Sequence, residues 1–168
     1  MIALATALSF IAMFRMPLGG DVTPASMLPI LLVALMFGVR GSFMAALVYG
    51  IIQAAISFGI VLGWGLSTEV FIACLLLDYI IPYTGLCLAG FFMKEGKRTE
   101  TRAYMGFLLA VVFRFICHFI SGIVLFGTWE NGALKVITHS VLYNGAFLLP
   151  ELLICVVAAV AILRVPVI

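Results

Sequence analysis

Apolar residues fill this chain in six runs, at about residues 2–15, 27–38, 41–61, 68–93, 103–126 and 136–163. Runs of roughly 20 apolar residues predict helices that cross a bilayer. The pattern predicts an all-α membrane protein, a six-helix transmembrane bundle that forms a single integral-membrane domain over residues 1–168. The second run is the exception. At about 12 residues it is too short to cross alone. A short second helix is therefore expected, tilted or broken, and ended by the Gly-Val-Arg-Gly turn at 38–41.

The intervals between runs set the orientation. Residues 16–26, MPLGGDVTPAS, hold two prolines and two glycines and read as an irregular loop. Gly63, Trp64 and Gly65 lie in the loop at 62–67, and TWENGALK covers 128–135. The segment KEGKRTETR at 94–102 is the most highly charged, and the last run ends at Arg164 before Pro166. Lys and Arg collect on the cytoplasmic side of membrane proteins. Lys94, Lys97, Arg98 and Arg102 mark their loop as cytoplasmic, and Arg40 and Arg164 then fall on the same side. Arg15 and Lys135 fall outside. Both termini are expected in the cytoplasm, with three loops facing out together. The first run lacks a charged n-region and an A-x-A site, so it is expected to be a span and not a cleaved signal.

Composition sharpens the picture. Hydrophobic residues make up 65% and charged ones 10%, with a net charge of +2. That charge gives no reason to expect nucleic-acid binding. Cys74, Cys87, Cys117 and Cys155 stand singly in apolar runs and read as small core residues. Yet Asp78, Arg114, His118, His139 and Glu151 also lie within apolar runs. A charge at membrane depth costs about 2.5–3.5 kcal/mol on insertion scales, and such groups face a bundle interior or a polar cavity. At 1.5 Å per residue, Asp78 lies about 15 Å below the outer end of its helix, and His118 and Asn144 about 12 Å below theirs. His139 lies nearer the surface. Polar groups from three helices thus converge on the outer half of the bundle.

The spacing defines faces. Arg114 and His118 are four apart, and Gly122 and Phe126 continue that stripe. His139 and Tyr143 form another such pair, with Asn144 and Glu151 seven apart. Arg114 and Glu151 lie deeper and are suited to a structural ion pair. Pro82 follows Asp78-Tyr79 and frees backbone groups, which is tolerated where a helix borders a cavity. Tyr79, Tyr83, Trp64, Phe126 and Trp129 offer aromatic faces to a cation, although Trp64 and Trp129 read equally as interfacial anchors. Zinc would want three or four ligands in close geometry. His118, His139 and Asp78 are candidates, but no HxxxH or HExxH spacing exists, so no metal or other cofactor is expected. No enzyme motif is present either. Ala3 and Ala7 carry small-xxx-small spacing on the first helix.

Together, MPLGGDVTPASMLPI, LLLDYIIPYTGLCLAGFF, RFICHFISGIVLF and HSVLYNG, in that order, resemble the thiamine-specific S-component of energy-coupling factor (ECF) vitamin transporters over nearly the whole chain. In that family the Asp78-Tyr79 position holds an acid followed by tyrosine, and the Arg114 and His118 positions hold a base and a histidine. His139 and Asn144 fall on ligand-contacting tyrosine and asparagine positions, so His139 departs from the pattern. The resemblance implies a prokaryotic plasma-membrane subunit that binds thiamine from outside. It implies docking on one transmembrane coupling subunit and two ATPase subunits, with Ala3 and Ala7 at the docking face. The expected substrate-binding set is Asp78, Tyr79, Arg114, His118, Gly122, Phe126, His139, Tyr143 and Asn144, with Tyr49 and Gln53 outside it. Alternatives are an S-component for another vitamin or a thiamine precursor, an ion-coupled carrier, and a small metal-dependent membrane enzyme.

Overall fold

A computed structural model describes residues 1–16, 20–93, 99–127 and 132–163, without the side chains of Arg15 and Leu163. Lys94, Lys97, Arg98, Arg164 and Trp129, on which parts of the expected orientation and aromatic set rest, lie outside the described residues. The chain runs α1 (Ile2–Ser9), β1 (Phe14–Arg15), β2 (Asp21–Val22), α2 (Leu28–Gly63), α3 (Thr68–Gly90), α4 (Glu100–Val124) and α5 (Ala133–Leu163). Among the described residues, α2 to α5 are the four helices long and apolar enough to cross a membrane.

The first helix is shorter than its apolar run. It ends at Ser9, whose hydroxyl donates back to Thr6 O at 2.8 Å, and the next two N–H groups tighten into three-residue turns on Ala7 O and Leu8 O. Met13, Phe14 and Arg15 leave the helix for a hairpin. Phe14 pairs with Val22 and Arg15 with Asp21, closed by Met13 N–H to Val22 O and Met16 N–H to Gly20 O. The segment expected as an irregular loop at 16–26 therefore contains the β2 strand.

The second and third runs merge. Only Gly38 departs from helical angles inside α2, at φ 69° and ψ −178°, a conformation open to glycine alone. The turn expected over 38–41 shrinks to that residue, and the Ser42 hydroxyl donates to the freed Gly38 carbonyl at 2.7 Å. The kink also depends on α3, because a Cβ on Gly90 would stand 2.7 Å from Gly38 Cα. Gly50 lets α2 approach the Ile80 carbonyl equally closely, and Gly106 does the same for α4 at Ala89. Such small-residue contacts are how helices pack where lipid removes the hydrophobic drive.

α4 starts three residues earlier than its apolar pattern, because Thr99 Oγ1 accepts Arg102 N–H and Glu100 sits in the first turn. Tyr49, Met27, Ile30, Leu31, Leu86 and Phe107 are fully buried at the centre. Leu134, Leu142, Leu153 and Val157 of α5 are exposed, as expected of a surface solvated by lipid. All four cysteines are buried and free.

Candidate functional site

Asp78 lies in a local break of α3. Residues Leu75–Ile80 form a π turn, and the Ile81 N–H reaches back five residues to Leu76 O. Pro82 supplies the cause. It has no N–H for the Asp78 carbonyl four residues earlier, so the α pattern fails there. Widening the turn brings Asp78, Tyr79 and Tyr83 onto one cavity.

The other walls are regular stripes. α4 contributes Arg114, His118, Ser121 and Gly122, with Phe126 just past its end. α5 contributes His139, Ser140, Tyr143, Asn144, Phe147 and Glu151. α2 adds Gln53 and Ser57, followed by Trp64, and α1 adds Ser9. The hairpin closes over one side through Gly20 and Asp21. Gly20 N–H donates to the Tyr143 hydroxyl at 3.2 Å, and a Cβ there would meet Phe147 at 2.8 Å. The cavity measures about 170 Å³. One water needs about 10–15 Å³, so this is room for a small organic molecule.

A chain of polar contacts runs along the cavity's inner side. Glu151 Oε1 takes the Thr23 and Ser26 hydroxyls at 2.7 and 3.2 Å, and Oε2 pairs with Arg114 Nη1 at 3.1 Å. Arg114 also donates from Nη1 to Met27 Sδ, from Nη2 to the Tyr83 hydroxyl at 2.9 Å, and from Nε to His118 Nε2 at 3.3 Å. Its guanidinium lies 4.3 Å from the Tyr83 ring centre. His118 Nδ1 stands 2.9 Å from Asp78 Oδ1. Asp78 Oδ2 accepts from the Ser121 hydroxyl and from Cys74 Sγ at 3.4 Å. Side-chain exposure rises along this chain, from 2% at Glu151 through 5% and 9% to 18% at Asp78. Asp78 is the end that opens to the cavity.

All nine residues of the expected binding set line this one cavity, and so do Glu151, Tyr83 and Trp64. Trp64 meets Phe126 edge-on at 5.8 Å, and His139 stacks on Tyr143 at 6.0 Å. Gly122 opens the wall toward Ser140, whose hydroxyl takes the place of its missing Cβ. The Asn144 amide donates to the Ser140 carbonyl and hydroxyl at 2.9 and 3.3 Å. Gln53, expected outside the site, is on its wall, where Nε2 donates to Ser9 Oγ at 3.0 Å. Tyr49 is not; it is buried behind the cavity, edge-on to Tyr83. Sequence reasoning missed Ser121 and Ser140, because hydroxyl residues are common in membrane helices and carry no spacing signal, and Thr23 and Ser26, because they lie in the irregular stretch between β2 and α2. Asp21 was legible as an acid in a loop, but nothing in the sequence folds that loop over the cavity. No three His, Cys, Asp or Glu side chains converge as metal ligands among the described residues. Ala3 and Ala7 lie exposed on α1.

Comparison with known proteins identifies the lineage. Residues 1–166 match the thiamine transporter protein family, and the chain belongs to it. It is 29% identical over 151 residues to the thiamine transporter ThiT of Bacillus subtilis (strain 168), across 84% of this chain and 74% of that protein. The family is one of transporters and not of enzymes. Its membership and apolar helices make this a multi-pass protein of the cell membrane.

Proposed function

We propose that this member of the thiamine transporter family is a thiamine-capturing S-component, taking thiamine from outside and delivering it through an ATPase-driven ECF coupling module. One observation carries the ligand reading. Among the described residues lining the cavity, Glu151 is paired with the Arg114 guanidinium at 3.1 Å, which leaves the Asp78 carboxylate facing the cavity. That negative charge favours a small cation, and Trp64, Tyr79, Phe126 and Tyr143 supply flat aromatic faces around it. Thiamine carries a cationic thiazolium and a flat aminopyrimidine with donors and acceptors. In this reading the aminopyrimidine or the thiazolium faces Asp78, and Asn144, whose Nδ2 is engaged by the Ser140 carbonyl and hydroxyl, offers its carbonyl oxygen.

The same reading sets the bundle as six membrane segments, with α2 counted as two across Gly38 and both termini in the cytoplasm. The energy for uptake then comes from a coupling subunit and two ATPases. The deciding experiment is equilibrium binding of thiamine, and of the pyrimidine and thiazole halves separately, to the purified protein in detergent. Thiamine should bind well above either half. Equal binding of the neutral pyrimidine alone would replace thiamine by a precursor as the ligand, and uptake in vesicles without ATPase partners would replace the S-component by an independent carrier.

A further inference from the structure

An arginine Nε–H only donates, so the His118 Nε2 that meets it must be a bare acceptor. A neutral imidazole then carries its proton on Nδ1, and that N–H is aimed at Asp78 Oδ1. The opposite tautomer would set an Nδ1 lone pair against a carboxylate oxygen at 2.9 Å and two N–H groups against each other at Nε2. Both ring nitrogens of His118 are consequently spent on the protein. What remains for a ligand is its ring, which sits edge-on to Phe147 at 5.6 Å.

Arg114 is similarly spent. Four of its five N–H groups point to His118, Met27, Glu151 and Tyr83. Glu151 is in turn fixed by Thr23 and Ser26, at the turn where Ala25 takes a left-handed φ of 63°.

We propose that Arg114, held by Glu151, is a positioning residue that locks His118 in its Nδ1–H tautomer, so that Asp78 meets the ligand as a fixed, acceptor-only carboxylate. Specificity for a ligand that donates or is cationic at this end then originates two residues behind the one that touches it. The inference rests on the thiamine reading only for its effect on affinity; the tautomer is a property of the ligand-free protein.

The test is nitrogen NMR of ring-labelled histidine in the ligand-free protein, with His118 assigned by the signals lost in His118→Gln. The wild type should show a protonated Nδ1 and a bare Nε2. Arg114→Met removes the donor that keeps Nε2 bare, so Nε2 should take up a proton in a substantial share of molecules while Asp78 holds the one on Nδ1, and thiamine binding should weaken by about tenfold or more, the loss of one charge-assisted contact. Arg114→Lys, which keeps a donor for Nε2, should restore both the signature and most of the affinity. A wild-type His118 protonated at Nε2, or at both nitrogens, overturns the proposal without reference to any variant. So does an Arg114→Met protein whose Nε2 stays bare. A wild type with the expected signature that fails to bind thiamine leaves the tautomer lock standing and overturns the ligand reading instead.

Discussion

Asp78 differs from the other buried charges in having spare capacity. An ionised carboxylate offers about four lone-pair sites, and His118, Ser121 and Cys74 take three of them. It is also the most open member of the chain that ends on Glu151. Asp78→Asn should therefore fold and insert, because the amide keeps the shape, while thiamine affinity falls by about 1.5–3 kcal/mol, the worth of a hydrogen bond to a charged group. Titration calorimetry on the folded variant checks this, with Tyr49→Phe as the reference outside the wall. Unchanged affinity would remove Asp78 from the ligand contacts. Gln53 does not serve as a reference, since it lines the cavity. At this scale the sequence was informative where chemistry was out of place. An acid, a base and histidines in apolar runs must face something polar, and Asp78, Arg114, His118 and Glu151 do. What it could not show is how they share their donors. The Arg114–His118 spacing of four predicts a common face, but only the folded arrangement commits the two nitrogens of His118, one to Arg114 and one to Asp78.

Elements explain why the hairpin rests where it does. Gly20 is the contact point: its N–H meets the Tyr143 hydroxyl and its missing Cβ leaves room for the Phe147 ring. Gly20→Ala would push a methyl into that ring at 2.8 Å, which something must yield to. The hairpin, paired through only two residue couples, is the element that gives. Thiamine should then leave faster, with dissociation raised about tenfold for a loss near 1.4 kcal/mol and association little changed, as most interface effects fall on the off-rate. Stopped-flow fluorescence separates the two rates; an unaltered off-rate would mean that the hairpin does not retain the ligand. Neither the hairpin nor the π turn was legible as such. Hydropathy reads Ile2 to Arg15 as one apolar run, because the pairing of Phe14 with Val22 depends on a partner seven residues beyond that run. The π turn had one visible cause, Pro82, whose missing N–H marks a break without saying whether the helix kinks, tightens or widens. The Gly38 kink was half legible: its glycine and the short run before it point to a break, but the Gly90 contact that holds it is long-range.

At the scale of the whole molecule, α1 touches the cavity through Ser9 at its end and leaves an outward face of small residues. Its eight residues extend only about 12 Å, so this first segment needs the exposed apolar residues Phe10, Ile11, Met13 and Phe14 beyond it to complete a crossing. Ala5 is fully buried against the bundle, while Ala3 and Ala7 face outward. Their four-residue spacing gives a flat strip on which another helix can lie closely. Ser9, at the end of α1, reaches the cavity wall and bonds Gln53, so Ala7 is two residues from the site and Ala3 six. Substitutions at Ala3 are therefore the cleaner probe of docking. Under the proposed coupling to an ECF module, Ala3→Leu should leave equilibrium binding of thiamine in detergent within about twofold, since it alters no cavity contact. ATP-dependent uptake by vesicles holding the full module should fall by about tenfold or more, because a leucine side chain on that strip separates the two helices. Ala7→Leu should abolish uptake likewise and also weaken binding slightly, through Ser9. Intact uptake in Ala3→Leu would exclude this strip as the docking face. Equal losses of binding and uptake at Ala3 would show instead that α1 supports the cavity itself through its packing on the bundle.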